Sequence, residues 1–279
     1  MEKEFNVLDV TRDRDVQWLS RARVSVIVPA MNEEENLPHV LPLIPHWVEE
    51  VILVDGHSTD KTVEVAQWVR PGIRVVQQIG KGKGAALRTG FDAARGDIIV
   101  MLDADGSTDP REIPGYVGLL LAGADFVKGS RYMAGGGSED ISLFRSLGNT
   151  GLLLAVKAMF GFKWTDLCYS YNAFWRRVLP DLNLDCDGFE IETLMNLRAG
   201  LAGLKIAECP SFEACRIHGE SRLRALPDGW RVLKTIFRER ARTIFGEQPA
   251  TRPADMSIPL PVATESFASA TAVALEPAS

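Results

Sequence analysis

Two carboxylates one residue apart follow the run at residues 97–102, apolar after its opening Asp97, in the order Asp103-Ala104-Asp105-Gly106-Ser107-Thr108-Asp109-Pro110. The run has the continuous apolar character of a strand buried on both faces, as inside a parallel sheet. Chain direction then puts Asp103 and Asp105 at the strand's C-terminal end, where open α/β sheets hold their ligands. Two hard oxygen ligands at i and i+2 suit Mg2+ or Mn2+, ions commonly held by one or two carboxylates with substrate phosphates completing the shell. Asp109 and Pro110 read separately, as the N-cap and first residue of a helix. Capping leaves the Asp103/Asp105 pair unexplained. An EF-hand loop counted from Asp103 needs Gly at position six and Glu at twelve; the chain has Thr108 and Pro114 there.

The elements that must position this pair alternate in type. Strand-like runs at 24–29, 51–55, 73–77 and 97–102 are separated by helix-like runs at 34–44, 59–69 and 84–94. This βαβαβαβ order predicts a doubly wound, mostly parallel sheet. A further strand is expected at 124–129 and another at 204–210. Helices are expected at 143–160, 189–201 and 228–245. The first strand ends in Pro29-Ala30-Met31-Asn32-Glu33, without the glycines of a dinucleotide fingerprint or a P-loop. The second ends in Asp55, which could accept hydrogen bonds from a base or ribose. Lys81 and Lys83 stand in a glycine-containing turn at a helix N-terminus, a place suited to anions.

Composition bounds the rest. A chain of 279 residues with 46% hydrophobic content fits one large domain with appendages. Residues 146–156, an uncharged apolar-rich stretch bounded by Arg145 and Lys157, are too short to span a bilayer. The four cysteines lack metal or disulfide spacing and read as reduced cytoplasmic thiols. The net charge of −6 is uneven. Residues 216–242 carry eight bases and three acids, whereas residues 246–279 carry four acids and one base. That pattern predicts a local anionic partner rather than nucleic acid, followed by a disordered tail.

Several motifs occur in a fixed order: VSVIVPAMNEEEN, VILVDGHSTDKT, GKGAALRTGFDAARGD, IIVMLDADGSTDP and KGSRYMAGG. Together they resemble glycosyltransferase family 2, which implies a GT-A fold. Within that family the resemblance is to the polyprenyl-phosphate sugar synthases of the dolichol-phosphate mannosyltransferase kind. TDLCYSYNAFWRR and IETLMNLRAGLAGLKIAECPSFEACRIHGESRL look like later segments of that group, so the resemblance covers residues 24–224. It disposes of a rival, the haloacid-dehalogenase-type phosphatases, whose nucleophile motif DADGS also resembles but lies on the first strand of their fold. The organisation implied is an extension at 1–23, a catalytic domain at 24–227, a basic amphipathic helix at 228–245 and a tail at 246–279.

By resemblance, Pro29, Met31 and Glu33 line the nucleotide pocket, with Leu53 and Asp55 beside the base. Asp103, Ala104 and Asp105 hold the diphosphate through Mg2+ or Mn2+, with Ser107 in the metal shell. Lys83, Arg131, Arg216 and Arg222 neutralise phosphates, and Asp105 and Arg131 are the expected catalytic residues. Met31 stands where the family often has Tyr and Gly56 where it often has Asp, so a GDP- and a UDP-sugar donor both remain open. Cys168-Tyr-Ser-Tyr171 departs from the family's usual TSGF core. The implied acceptor is a polyprenyl phosphate, already nucleophilic at neutral pH because a phosphate's second pKa is near 6. A small hydroxyl acceptor is the alternative, and would need Glu190 or Glu192 as base. A lipid acceptor calls for peripheral contact with the inner face of the membrane. Trp230, Leu233, Phe237, Ala241 and Ile244, interleaved with Arg231, Lys234, Arg238, Arg240 and Arg242, read as an interfacial helix. Leu143–Phe160 is a second candidate.

Overall fold

The apolar runs form strands as their patterns require: β1 (Val24–Ala30), β2 (Glu50–Asp55), β3 (Arg74–Gln77) and β4 (Ile98–Met101). The structure is a computed structural model that describes residues 22–220 and 224–246. Nearly all of the expected extension (1–23) and tail (246–279), and all of Arg222, lie outside the described residues. The four strands are parallel in the order β3-β2-β1-β4. The chain therefore moves outward from β1 to β3 and returns on the other side of β1. This reversal makes the C-terminal ends of β1 and β4 the switch point, where a crevice opens.

Alternate residues of β1 serve two layers. Val24, Val26 and Val28 pack with α1 (Leu37–Val40), α2 (Thr62–Val69) and α4 (Ile113–Leu121). Ile27 packs on the opposite face with α3 (Lys83–Ala93). On this second face α6 (Leu179–Leu182) and α7 (Ile191–Leu201) join it. Gly90 of α3 lies directly over β1, so that a Cβ there would strike the side chain of Ile27. The helix expected at 34–44 is reduced to α1 and one 3-10 turn, Leu41–Leu43, consistent with Pro38 and Pro42 interrupting its hydrogen bonds.

Beyond β4 the sheet continues with β5 (Phe126–Ser130), β7 (Asn172–Trp175) and β8 (Ile206–Pro210), giving seven strands in the order β3-β2-β1-β4-β7-β5-β8. β7 runs antiparallel to both β4 and β5. Two-residue strands β6 (Gly137–Ser138) and β9 (Phe212–Glu213) form a small parallel ribbon over this end. α5 (Leu143–Phe160) and α8 (Ala225–Ile244) share a third core with α7, built on Val156, Leu197, Val232 and Ile236. α8 begins one turn before the expected residue 228. A buried ion pair holds it to α7: Arg198 Nε and Nη2 each lie 3.1 Å from the Glu239 carboxylate.

Candidate active site

Because Asp103 and Asp105 immediately follow β4, and Pro29 to Glu33 belong to the end of β1 and its loop, the switch point brings them together. They line a cleft of about 470 Å3 with Lys83, Ala104, Ser107, Glu192 and Arg216. The loop after β1 is locked to the loop after β2. Asn32, at a positive φ of 58°, donates its backbone N–H to Ser58 Oγ and accepts from the Thr59 N–H at 2.8 Å. Asparagine tolerates that left-handed conformation better than most residues.

The carboxylates sit among fixed donors. Asp103 receives Lys83 Nζ at 2.9 Å and the hydroxyl of Ser170. Lys83 also lies 2.9 Å from Glu192 Oε1, so one ammonium bridges two acids. Burial works against the Lys83 charge, but Asp103 and Glu192 outweigh it and its pKa is raised. Burial likewise raises Asp103, yet Lys83 and Ser170 prevail and hold its carboxyl below the ordinary aspartate value. Glu192 goes the other way: burial, reinforced by Asp103, keeps its carboxyl above the ordinary glutamate value despite Lys83. Asp105 Oδ1 accepts from the Ser107 N–H at 3.0 Å and its hydroxyl at 2.7 Å.

A strap at residues 214–219 closes one side. Its backbone binds the carboxylate loop through Ala214 N–H to Ser107 O at 2.9 Å and Ile217 N–H to Asp105 O at 3.1 Å. Arg216 on this strap grips Glu33 with two nitrogens at 2.9–3.1 Å and points Nε at Asp105 Oδ2, 3.4 Å away.

The two carboxylates and the Ser107 hydroxyl are hard oxygen donors that fit Mg2+ or Mn2+. Among the described residues no group of three His, Cys, Asp or Glu side chains could enclose a metal by itself. Such a donor set requires oxygens from a substrate diphosphate or water to complete the shell.

Four expected residues lie elsewhere. Leu53 is fully buried in β2. Asp55 lies beneath the loops, its carboxylate taking Ser58 N–H at 3.1 Å and Gln77 Nε2 at 3.0 Å. Glu190 does not line the cleft; its Oε2 is buried near Gly188. Arg131 corrects the expectation of a phosphate clamp. Its side chain is 3% exposed and is saturated by Asp166 at 2.7 and 3.0 Å, Glu213 at 3.0 Å and the Cys168 carbonyl at 3.1 Å. These bonds brace the 166–170 segment and β9 behind the cleft wall.

Other lining residues were not expected, Gln78, Asp140, Arg145 and Phe189 among them. Tyr169 and Ser170 belong to the Cys168–Tyr171 segment, whose departure from the TSGF core bears on the shape of the acceptor or sugar pocket. Arg145 appeared merely as the charge ending an apolar stretch. Cys168 also lines the cleft, and burial pushes its thiol up to about 12, far from a nucleophilic thiolate at neutral pH.

Comparison with known proteins agrees with this geometry. The sequence profile of Glycosyl transferase family 2 matches residues 25–182. A dolichol-phosphate mannosyltransferase of Pyrococcus furiosus is 31% identical over 225 residues, covering 77% of this chain and 61% of that protein. A hexosyltransferase of low-salt glycan biosynthesis from Haloferax volcanii is also 31% identical, over 77% of this chain and 53% of its own length. The chain thus spans between half and two thirds of these two relatives. Among solved structures, glucosyl-3-phosphoglycerate synthase of Mycobacterium tuberculosis, in complex with Mn2+, UDP and glucosyl-3-phosphoglycerate, is similar with a TM-score of 0.65 and 26% identity. That match covers 80% of this chain and 82% of the other.

Proposed function

The chain belongs to glycosyl transferase family 2 and has its GT-A fold, and on that premise we propose that it moves a sugar from a UDP- or GDP-sugar to a polyprenyl phosphate at the cytoplasmic surface of a membrane. The observation carrying the acceptor assignment is the junction of the cleft with α5. Asp140 and Arg145 line the cleft and pair at 2.6 Å. Beside them, Leu143 is 85% exposed and Leu147 72% exposed, with Phe144 also open to solvent. A lipid phosphate engaged by Arg145 would leave its isoprenoid chain against this apolar end of α5. Arginine's planar fork suits a phosphate.

Asp103, Asp105 and Ser107 would hold Mg2+ or Mn2+ together with the donor's diphosphate. That ion supplies Lewis-acid neutralisation of the departing nucleoside diphosphate. Lys83 and Arg216 add fixed positive charge on the same side, where negative charge develops. Pro29, Met31, Glu33 and Ala104 form the nucleotide wall, and Asp55 supports it from beneath. The acceptor phosphate attacks the anomeric carbon in line with the leaving diphosphate, inverting that centre. A phosphate oxygen carries no proton that must be removed first, so no side-chain base is needed.

A second reading keeps the donor and replaces the acceptor with the hydroxyl of a small molecule. Glu192 favours it, since a cleft carboxyl with a raised pKa is suited to accept a proton. The deciding experiment incubates purified protein with Mn2+, polyprenyl phosphate and mixed UDP- and GDP-sugars, followed by mass spectrometry of the lipid phase. A lipid phosphate heavier by one sugar supports the lipid reading. Nucleoside diphosphate released without lipid product would replace it with the hydroxyl reading.

A further inference from the structure

Both carboxylates assigned to the metal are already engaged by cations of this chain. Lys83 Nζ straddles Asp103, 2.9 Å from Oδ1 and 3.2 Å from Oδ2, while Ser170 donates to Oδ2 as well. On the other side Arg216 Nε is buried, has no hydrogen-bond partner and faces Asp105 Oδ2 at 3.4 Å. A metal arriving alone must therefore displace an ammonium from Asp103 in a half-enclosed site, where charge interactions are stronger than in bulk water.

We propose that Lys83 is a positioning residue that competes with the divalent metal for Asp103 until a nucleoside diphosphate enters, so that metal and nucleotide are taken up together. The inference rests on the nucleotide-sugar reading of the cleft. Glu192 is what makes the exchange feasible. It lies 2.9 Å from the same ammonium, so Lys83 can give up Asp103 without losing its last counter-charge. An incoming diphosphate offers Lys83 and Arg216 new acceptors, while its own oxygens help to complete the metal shell. Each ligand then raises the affinity of the other by the same factor, as linkage demands, and such factors commonly run from about 5 to 150.

The test is Mn2+ binding to the full chain, read from the free-ion electron paramagnetic resonance signal with and without UDP or GDP. For the wild type, nucleotide should tighten Mn2+ binding by roughly tenfold or more, within the usual range of coupling. Lys83→Met should bind Mn2+ alone several-fold more tightly, yet show weaker nucleotide binding and reduced coupling. Glu192→Gln should weaken Mn2+ alone, because Lys83 then has only Asp103 to hold. Damage to folding weakens every ligand and cannot yield the tighter binding expected of Lys83→Met. Equal or weaker Mn2+ binding by Lys83→Met, with nucleotide still bound by the wild type, would overturn the role of Lys83 alone. Failure of the wild type to bind either nucleotide with Mn2+ would overturn the nucleotide-sugar reading as well.

Discussion

Arg131 and Arg216 are the same residue type in the chain and opposites in the molecule. Arg131 is enclosed by Asp166, Glu213 and the ring of Tyr169, 4.9 Å from its guanidinium carbon. Arg216 is 20% exposed in the cleft, between Glu33 and Asp105. Removing one partner of a buried ion pair leaves an uncompensated charge and costs about 3–5 kcal/mol. Arg131→Ala should therefore destabilise by about that much in denaturant unfolding. Arg216→Ala, whose guanidinium is part-exposed, should lose less stability than Arg131→Ala but transfer sugar at least about 100-fold more slowly, the usual loss when one preorganised charge stabiliser is removed. Equal unfolding midpoints for the two variants would contradict this division. The Asp103/Asp105 pair was legible because an apolar run fixes where a strand ends. Arg131 was misread because its partners are 35 and 82 positions away, and local sequence does not distinguish a saturated arginine from an open one.

Glu50 shows the same dependence on distant partners within the sheet. It opens β2, accepts Ser25 Oγ of β1 at 2.7 Å and Arg74 of β3 at 2.9 Å, and takes the Arg95 N–H at 3.0 Å. Burial raises its pKa, but these donors outweigh burial and lower it below the ordinary glutamate value. A carboxyl depressed in the folded state contributes stability that is complete above the unfolded pKa of about 4.3. The contribution falls away as pH drops below that value toward the folded pKa. Glu50→Gln should cost about 1.5–3 kcal/mol at pH 7, as for hydrogen bonds to a charged group. The difference from wild type should shrink in unfolding curves recorded at successively lower pH; a difference constant from pH 7 to pH 3 would refute the assignment. Gly90→Ala should also lower stability, by about 1–3 kcal/mol, because the added carbon overpacks Ile27. β1, β2 and β4 were legible as buried apolar runs, and β3, a half-buried edge strand, from its Val75-Val76 pair between helix-like segments. β7 was not: Asn172-Ala-Phe-Trp is short, and its antiparallel seat between β4 and β5 is set by pairing with strands far away in the chain. β6 and β9, at two residues each, are too short to carry any periodicity.

Across the whole molecule, α5 and α8 pack on one another through the third core, and each leaves an apolar stripe uncovered. On α5 it comprises Leu143, Phe144, Leu147 and Leu154; on α8, Leu226, Trp230, Phe237 and Ile244. The acids of the two helices, Asp228 and Glu239, are buried and ion-paired, so the exposed charges beside the stripes are basic. No helix among the described residues is long and apolar enough to cross a membrane. An apolar stripe flanked by bases suits the boundary between acyl chains and anionic head groups, where each Lys or Arg contributes about 1 kcal/mol. The full chain should therefore sediment with vesicles rich in anionic lipid, and raising the salt concentration should release part of it. Trp230→Ser combined with Phe237→Ser should reduce vesicle binding by at least about tenfold, since burying each aromatic side chain is worth about 1.5–3 kcal/mol. The double variant should still release nucleoside diphosphate on a water-soluble acceptor phosphate, because neither residue lines the cleft. Equal binding to neutral and anionic vesicles would remove the role of the bases. Undiminished binding by the double variant would mean that a surface other than α8 makes the contact.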